Sequence, residues 1–492
     1  MHDLRHKLGA VGAWIDRHGL IVALLVTAAA SLACFRSRPF SPTEFLEVAI
    51  GRRAQFTWGW LQEVIGGELH GPFYPLFAYV LDRLAVDHEF PHRLLSLASL
   101  LLAVGAWYRA SREILDRRSA LIAALFVGSS YHGLTVSHEF TRYALHLALG
   151  LLCVGWLLRC LHSTDRRACL ALGGLVFLAL LNHMIIGLLL LAWVPLWLVS
   201  FRSARQRWWP PIAAAAGALA TLPFTFKLIV GAEEDPGLPP VSLELLHELW
   251  EMFEGGLLLP LLIGVLLLRW LRDRLPPWRQ LRFEGDWPGV GLAHLLLWLV
   301  PIAAFLLISQ FVVTLTYPDY LLPALGSLGV LYGAFHAGAG PIARAVMLVA
   351  LLVNGGLNVA ERIQSTPDPG KTLFGQIVTV LDLLEDRSTE IRVLPEWDRP
   401  GVRFYHRRLG RGDLRIFDGF GEQMPYPERL CLVGSRMVGP SVARGYLRWR
   451  SVRGALRSVY RHERVRPTVG ALWVICYQDK YRHAAPRSPG GP

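Results

Sequence analysis

The chain has 492 residues, of which 53% are hydrophobic, and its mean hydropathy is +0.36. Soluble enzymes of this length are less apolar, so the composition excludes an ordinary cytosolic protein and predicts an integral membrane protein. The formal net charge of +12 does not indicate nucleic-acid binding, because much of the basic charge lies in short loops that flank apolar runs.

About eleven apolar runs follow one another along the chain and predict membrane-spanning helices. Arginine-rich and acidic loops alternate between them, and the arginine-rich side of a membrane protein faces the cytoplasm. The alternation therefore predicts a cytoplasmic N-terminus and acidic loops on the outer side. The expected spans are residues 20–35, 94–108, 120–130, 143–161, 169–181, 186–201, 212–229, 256–270, 290–311, 321–335 and 345–359.

The tail that follows the last span is hydrophilic, and an odd number of spans places it outside the cytoplasm. Apolar periodicity predicts a small α/β domain there, with helices over 371–386 and 441–461. Strands are expected at 390–394, 402–405, 414–417, 429–433 and 471–477. The chain thus divides into a membrane domain (1–361), whose first outer segment is 36–93, an extracytoplasmic domain (362–484) and a disordered end (485–492).

Two of the six cysteines, Cys431 and Cys476, lie in predicted strands of this tail. Compartments outside the cytoplasm are oxidising, so these two thiols can form a disulfide. Two free thiols are the alternative, and the sequence does not decide between them.

The first outer segment opens with Ser41-Pro42-Thr43-Glu44. Serine as N-cap, proline at the first helical position and glutamate at the third fit a capping box, in which Glu44 bonds the Ser41 amide. The same carboxylate, just outside the first span, also fits a general base at the membrane surface. Glu47 lies one turn further on and can take the same role.

Other ionisable residues gather at the expected outer ends of the spans, where such groups are often functional. His70 lies in a turn made by glycine and proline. In the loop after the third span, Glu139 and Arg142 are three residues apart, so on one helical turn they would pair. Further polar residues at these ends are His138, Tyr143, His183, Lys227 and Tyr320.

The order of these features resembles the C-type (GT-C) membrane glycosyltransferases, in the branch of protein O-mannosyltransferases and lipid A aminoarabinose transferases. Thr43-Glu44 matches the family's acidic pair after the first span. His70-Gly71-Pro72-Phe73-Tyr74 matches its proline-rich turn, and Glu139-Phe140-Thr141-Arg142-Tyr143 matches the segment after its third span. His183 and Tyr320-Leu321-Leu322-Pro323 also agree, so the resemblance covers about residues 20–340.

The resemblance implies a polyprenyl-phosphate sugar as donor and an inverting single displacement. In such a reaction a carboxylate deprotonates the acceptor hydroxyl, and cations stabilise the departing phosphate. The resemblance implies Glu44 as this base, helped by Glu47, and phosphate contacts from Arg142, Lys227 and His70. The residues that would line the substrate cavity are Glu139, His138, His183, Tyr143 and Tyr320.

The implied partners are the lipid-linked sugar donor, a glycan, lipid or protein acceptor, and membrane lipids, with no nucleic acid. The implied location is the cytoplasmic (inner) membrane. His70 or His183 with Glu139 could bind a divalent metal, but no spacing in the sequence demands one. Metal dependence is therefore left unknown.

Two positions depart from the family pattern. Thr43 stands where relatives usually carry the catalytic aspartate, and Asp319 stands where they often carry arginine. Because Thr43 replaces that aspartate, one alternative is that the protein is an inactive scaffold descended from such an enzyme. A lipid-linked-sugar flippase is the other alternative, but it would carry polar or broken spans at the membrane midplane. The ionisable residues gather at the expected outer ends instead, which favours an enzyme.

Overall fold

The chain divides into two compact units by mutual contact. The first comprises residues 1–36, 54–77 and 91–365, and the second comprises 37–53, 78–90 and 366–492. The computed structural model describes residues 2–35, 44, 47–48, 51, 72–84, 89–162, 166–183, 186–192, 212–221, 242–254, 257–264, 290–311, 318–365, 390–394, 416–417, 430–435, 460–465 and 472–480.

Wherever the structure describes the apolar runs, they are helical, which confirms the prediction of an α-helical membrane protein. A 3-10 turn at Pro318–Leu321 leads into α10, and further helical residues lie at 186–192, 212–221 and 257–264. The labelled helices are α1 (His2–Cys34), α2 (Phe73–Arg83), α3 (Glu89–Arg112), α4 (Arg117–Gly128), α5 (Tyr131–Ser137), α6 (Tyr143–His162), α7 (Arg166–Asn182), α8 (Leu243–Met252), α9 (Val290–Phe311), α10 (Leu322–Gly338) and α11 (Pro341–Ser365).

Five helices of the described part are long and apolar enough to cross a membrane, and the bent α4–α5 pair adds a sixth if it counts as one span. The expected span at 290–311 coincides with α9, and the expected span at 143–161 with α6. The expected spans at 186–201, 212–229 and 256–270 lie partly outside the described residues.

Helix α10 is the centre of the first unit, and each of its residues from Leu322 to His336 is buried. Three glycines, at positions 326, 329 and 333, allow its backbone to approach its neighbours closely. A Cβ atom on Gly329 would lie 2.8 Å from the Ala123 carbonyl oxygen of α4, and one on Gly333 would lie 2.5 Å from that of Ser119. Small residues at a membrane helix interface permit this kind of direct backbone contact.

Helices α4 and α5 meet at a bend of 61°. The break has a local cause, because Ser130 is the N-cap of α5 and its hydroxyl accepts a hydrogen bond from the Gly133 amide at 3.0 Å. A serine in extended conformation at this place ends one helix and begins the next. The bend directs α5 and the loop after it, residues 138–142, away from the axis of α4.

The second unit contains a five-stranded mixed sheet. Its order is β2-β1-β3-β5-β4, in which β1 runs parallel to β2 and β3, and β5 runs antiparallel to β3 and β4. This sheet confirms four of the expected strands. The strands are β1 (Glu390–Leu394), β2 (Ile416–Phe417), β3 (Leu430–Ser435), β4 (Tyr460–Val465) and β5 (Leu472–Lys480).

The end of the expected basic helix over 441–461 is wrong, because Tyr460–Val465 is strand β4 at the edge of this sheet. Pairing with β5 supplies the backbone hydrogen bonds of this segment, and such tertiary context overrides helical periodicity. The expected helix over 371–386 and the strand at 402–405 lie outside the described residues.

The β3–β5 ladder places Cys431 directly opposite Cys476. Cys431 is disulfide-bonded and buried. Directly opposed residues of an antiparallel pair have Cα atoms about 4.5–5.5 Å apart, a separation that a disulfide spans. The register therefore supports the expected Cys431–Cys476 bond.

We expect this bond to protect two thiols from alkylation in the unfolded, non-reduced protein. The other four cysteines, Cys34, Cys153, Cys160 and Cys169, form no disulfide. Iodoacetamide should therefore label four cysteines without reductant and all six with it, as counted by intact mass. A Cys476→Ser variant is the control, since it should label Cys431 without reductant. Labelling of all six wild-type cysteines without reductant would contradict the bond.

Candidate active site

The expected catalytic carboxylates lie in helical backbone of the second unit. Glu44 is 0% exposed and Glu47 is 1% exposed. Glutamate side chains are rarely buried to this extent unless they are bonded, so neither belongs to a solvated helix face. Thr43, His70 and Lys227 lie outside the described residues, and so does the Ser41 amide on which the capping-box interpretation depends.

His138 and Glu139 are both bound by Arg362, which lies in α11, the last helix of the first unit. The Nε of Arg362, near the end of α11, donates to His138 Nε2 at 2.8 Å, and its terminal nitrogen forms an ion pair with Glu139 Oε1 at 2.9 Å. The guanidinium also lies over the Tyr131 ring, 5.9 Å from its centroid. Arg362 thus contacts Tyr131 at the start of α5 and two residues, His138 and Glu139, of the loop that follows α5.

The expected one-turn relation between Glu139 and Arg142 is wrong. Residues 138–142 form turns and irregular backbone between α5 and α6, so helical spacing does not relate these side chains. The Glu139 carboxylate is bound by Arg362 instead. Sequence analysis missed Arg362 because 223 residues separate it from Glu139, and no local pattern indicates such a contact.

Tyr74, the last residue of the proline-rich motif, is in direct contact with the segment after α5. The Tyr74 hydroxyl lies 3.0 Å from Ser96 Oγ, which donates to the Glu139 carbonyl oxygen at 2.6 Å. The Phe140 ring packs against Tyr74 and His92, with centroid distances of 5.0 and 5.2 Å. Two motifs that are 65 residues apart in the sequence therefore form one part of the site.

Arg142 is 6% exposed at the start of α6. Its carbonyl oxygen accepts hydrogen bonds from the His146 amide at 2.9 Å and from Asn182 Nδ2 at 3.5 Å. These bonds hold the Arg142 backbone between the beginning of α6 and the end of α7. A buried guanidinium is a strong phosphate ligand, because it is always charged and weakly hydrated.

Four rings form a cluster beside Arg142. The His183 ring lies 5.1 Å from Tyr320, 5.3 Å from His146 and 6.0 Å from Tyr143, measured between centroids. A narrow gap, too small to admit a water molecule, adjoins this cluster and is otherwise lined by apolar residues: Ile186, Leu188, Leu189, Pro301, Leu321, Pro323 and Ala324. The structure therefore brings together three of the expected cavity residues, Tyr143, His183 and Tyr320.

His183 is held neutral by its surroundings. Burial lowers the pKa of His183 well below its ordinary value, and the nearby His146 and Arg142 act in the same direction. A neutral imidazole donates and accepts hydrogen bonds but supplies no positive charge. His183 can thus orient a polar group by hydrogen bonding but does not balance a negative charge.

The departure at Asp319 has a structural explanation. Its carboxylate lies 3.0 Å from His132 Nδ1, and both side chains are partly buried. This pair joins α5 to the 3-10 turn that carries Tyr320. Asp319 therefore stabilises the turn through His132.

Glu254 is a second buried residue whose contacts no sequence pattern indicates. It is 4% exposed and adopts a left-handed conformation, with φ of 60°. Its carboxylate accepts hydrogen bonds from the Tyr131 amide at 2.9 Å, from Asn358 at 3.1 Å and from Asn354. Burial raises the pKa of Glu254, while the hydrogen bonds from Asn354 and Asn358 oppose that shift. The carboxylate therefore joins the N-terminus of α5 to α11.

Replacing Glu254 with glutamine should lower the free energy of unfolding by about 2 kcal/mol, because the new amide must face a hydrogen-bond donor. The Tyr131 peptide amide cannot become an acceptor, and the two asparagines can do so only by turning over. Denaturant unfolding in detergent would measure the change. The control is Glu251→Gln, whose side chain is 60% exposed and whose loss should change stability by less than about 0.5 kcal/mol. Equal stability of the two variants would contradict the role given to Glu254.

Among the described residues, no three histidine, cysteine, aspartate or glutamate side chains are grouped as metal ligands would be. The part of the site that the structure describes consists of cations, carboxylates and rings.

Comparison with solved structures that share this fold confirms the resemblance seen in the sequence. The structure is similar to that of ArnT from Cupriavidus metallidurans in the apo state, with a TM-score of 0.60 and 16% identity over 95% of this chain and 98% of that chain. For ArnT bound to undecaprenyl phosphate the TM-score is 0.56, with 15% identity over 93% and 98%. The arabinofuranosyltransferase AftD from Mycobacteria gives 0.50, with 16% identity over 94% of this chain and 40% of that one.

Residues 69–229 match the family described as dolichyl-phosphate-mannose-protein mannosyltransferase. The matched segment is about a third of the chain, and Glu44 and Glu47 precede it. It contains seven of the expected site residues that are not catalytic bases: His70, His138, Glu139, Arg142, Tyr143, His183 and Lys227. No curated protein matches the chain in sequence.

Proposed function

We propose that the chain is a membrane glycosyltransferase that moves a sugar from a polyprenyl phosphate to an acceptor hydroxyl at the outer face of the cytoplasmic membrane. The observation that carries this proposal is the contact of Tyr74, at the start of α2, with the segment 139–143, which contains the buried Arg142, in a fold shared with a protein solved with bound undecaprenyl phosphate. The N-terminus lies in the cytoplasm, and the sheet domain lies outside.

The reaction is a single displacement with inversion. The carboxylate of Glu44, helped by Glu47, removes the proton from the acceptor hydroxyl, and that oxygen forms a bond to the anomeric carbon. The bond from the anomeric carbon to the phosphate oxygen breaks, and the polyprenyl phosphate leaves with the electron pair. Arg142, Lys227 and His70 stabilise the charge that develops on the phosphate.

The ring cluster orients the donor sugar. Tyr143 and Tyr320 present apolar faces, and the neutral His183 supplies hydrogen bonds without a charge. The acceptor is a glycan, a lipid or a protein. Membrane lipids surround the apolar helices and hold the site at the surface where a lipid-linked donor presents its sugar.

The test is transfer by the purified protein in nanodiscs. The protein would be incubated with each of a panel of polyprenyl-phosphate sugars and a mixture of candidate acceptors. The measured quantity is the polyprenyl phosphate released. Release above that of an empty-nanodisc control supports the proposal. Arg344→Ala serves as a variant with expected wild-type release, because its arginine on α11 bonds only the backbone carbonyls of His336 and Ala337 in the part of the chain that the structure describes. A protein that binds the lipid donors and releases no polyprenyl phosphate would contradict a transferase.

The α4–α5 bend favours one alternative, a flippase for lipid-linked sugars, because broken helices are common in transporters. Such a protein would move a fluorescent lipid-linked sugar across a proteoliposome membrane and leave the sugar–phosphate bond intact. The transferase would cleave the bond without moving the lipid. An inactive scaffold, to which Thr43 points, would do neither.

A further inference from the structure

Helix α11 has two faces of opposite character. One is apolar and strongly exposed, as expected for contact with lipid: Ile342, Val346, Val349, Leu352, Val353 and Leu357 are 49–81% exposed. The other carries Asn354, Asn358 and Arg362, which are four residues apart and therefore lie on one side of the helix. All three are less than 10% exposed. Polar groups buried in such a helix are costly unless they are bonded.

The polar face binds both ends of α5. Asn358 donates to the Ser129 carbonyl oxygen at 3.0 Å, just before α5, and with Asn354 it binds the Glu254 carboxylate that accepts from the Tyr131 amide. Arg362 binds His138 and Glu139, just after α5. One helix face therefore fixes where α5 begins and where it ends.

The contact with Arg362 also determines the tautomer of His138. The Nδ1 atom bonds the Leu134 carbonyl oxygen, which only accepts, so Nδ1 carries the hydrogen. The Nε2 atom faces the Arg362 Nε–H at 2.8 Å, so Nε2 is the acceptor. Both ring nitrogens are thus occupied within the protein. His138 is part of the support of the loop, and neither nitrogen is available to act on a substrate.

We propose that Arg362 is a positioning residue that fixes the segment 138–142 and thereby the place of Arg142. The deletion of its guanidinium would leave His138 and the Glu139 carboxylate without a ligand from α11, while the Ser96–Glu139 bond from α3 would remain. Arg362 acts through the loop and not on the substrate. Its consequence for catalysis rests on the proposed function, whereas its hold on the loop does not.

Hydrogen exchange followed by mass spectrometry tests the hold on the loop directly. In Arg362→Ala, amides of a peptide covering residues 131–142 should exchange about 10-fold faster than in wild type, because the contacts to His138 and Glu139 are lost. A tenfold change corresponds to about 1.4 kcal/mol of local stability. Amides of α4, residues 117–128, should be unchanged. Arg344→Ala is the control on the same helix and should leave residues 131–142 at the wild-type rate. Unchanged exchange of residues 131–142 in Arg362→Ala would overturn the proposal whatever the transfer assay gives.

Transfer kinetics test the catalytic consequence. Arg362→Ala should lower kcat about 100-fold, because a displaced phosphate ligand misaligns the reacting groups, and KM should change little. Arg362→Lys keeps the charge without the forked geometry and should recover only part of kcat. Guanidinium ions added to Arg362→Ala should restore activity and slow exchange together. Faster exchange with unaltered kcat would overturn the positioning role, and an inactive wild-type protein would overturn the proposed function while the exchange result still decides the hold on the loop.

Discussion

Transfer by a Glu44→Gln variant is expected to fall about 10²- to 10⁴-fold in kcat, the contribution of a positioned general base. Glutamine has the shape of glutamate and can accept the same hydrogen bonds, but it cannot take a proton from the acceptor hydroxyl. The measurement is release of polyprenyl phosphate under saturating donor. Binding of donor lipid should be nearly unaffected, because the carboxylate acts on the acceptor.

Glu47→Gln is the matched comparison, since the two glutamates lie one turn apart and are equally buried. A large loss in Glu44→Gln with a small loss in Glu47→Gln assigns the base to Glu44. The reverse result moves that assignment to Glu47. Full turnover in both variants would contradict a base in this segment, provided that thermal unfolding shows both to be folded. Glu44→Asp should retain part of the activity, because it keeps a carboxylate on a shorter side chain.

An Arg142→Ala variant is expected to lose about 10²- to 10³-fold in transfer rate, a loss typical of removing one group that stabilises charge in a transition state. The guanidinium is buried beside the ring cluster, so water cannot stabilise the developing phosphate charge as well as the lost guanidinium did. Arg142→Lys should be intermediate, because an ammonium keeps the charge but cannot make two parallel hydrogen bonds to phosphate.

Binding of polyprenyl phosphate without sugar separates this role from others. If Arg142 contacts the phosphate, its loss should weaken the binding of the product lipid as well as slow transfer. Arg344→Ala, which removes an arginine bonded to backbone carbonyls at the start of α11, should leave both quantities unchanged. Normal lipid binding and normal transfer in Arg142→Ala would move the phosphate contact to Lys227 or His70.

The sequence predicted the membrane helices because lipid selects for long apolar runs, and a backbone in lipid has to bond within its own helix. The strands β1, β2, β3 and β5 were also predicted, since their apolar residues stand in short runs between turns. The segment 139–143 was recognised from its own residues. Each of these signals is local in the chain.

The partners of these segments were not predicted. Glu254 is bound by residues 100, 104 and 123 positions away, and Arg362 lies 223 positions from Glu139. Arg362 stands near the end of an apolar helix, where an arginine most often reaches the membrane surface. Its contact depends on how α11 packs against α5, which neither hydropathy nor spacing specifies. For the same reason, the pairing of His132 with Asp319 had no counterpart in the sequence.

The glycine contacts between α4 and α10 have a consequence for motion in the working cycle. Side chains that interdigitate can change rotamer and let two helices slide, but here the carbonyl oxygens of Ala123 and Ser119 lie 2.8 and 2.5 Å from where a Cβ of Gly329 and Gly333 would be. We therefore expect the two helices to move as one rigid body. If the chain is the proposed transferase, admission of the lipid donor and exit of the lipid phosphate would then depend on displacement of elements joined by turns, such as α5, which is bent from α4 by 61°.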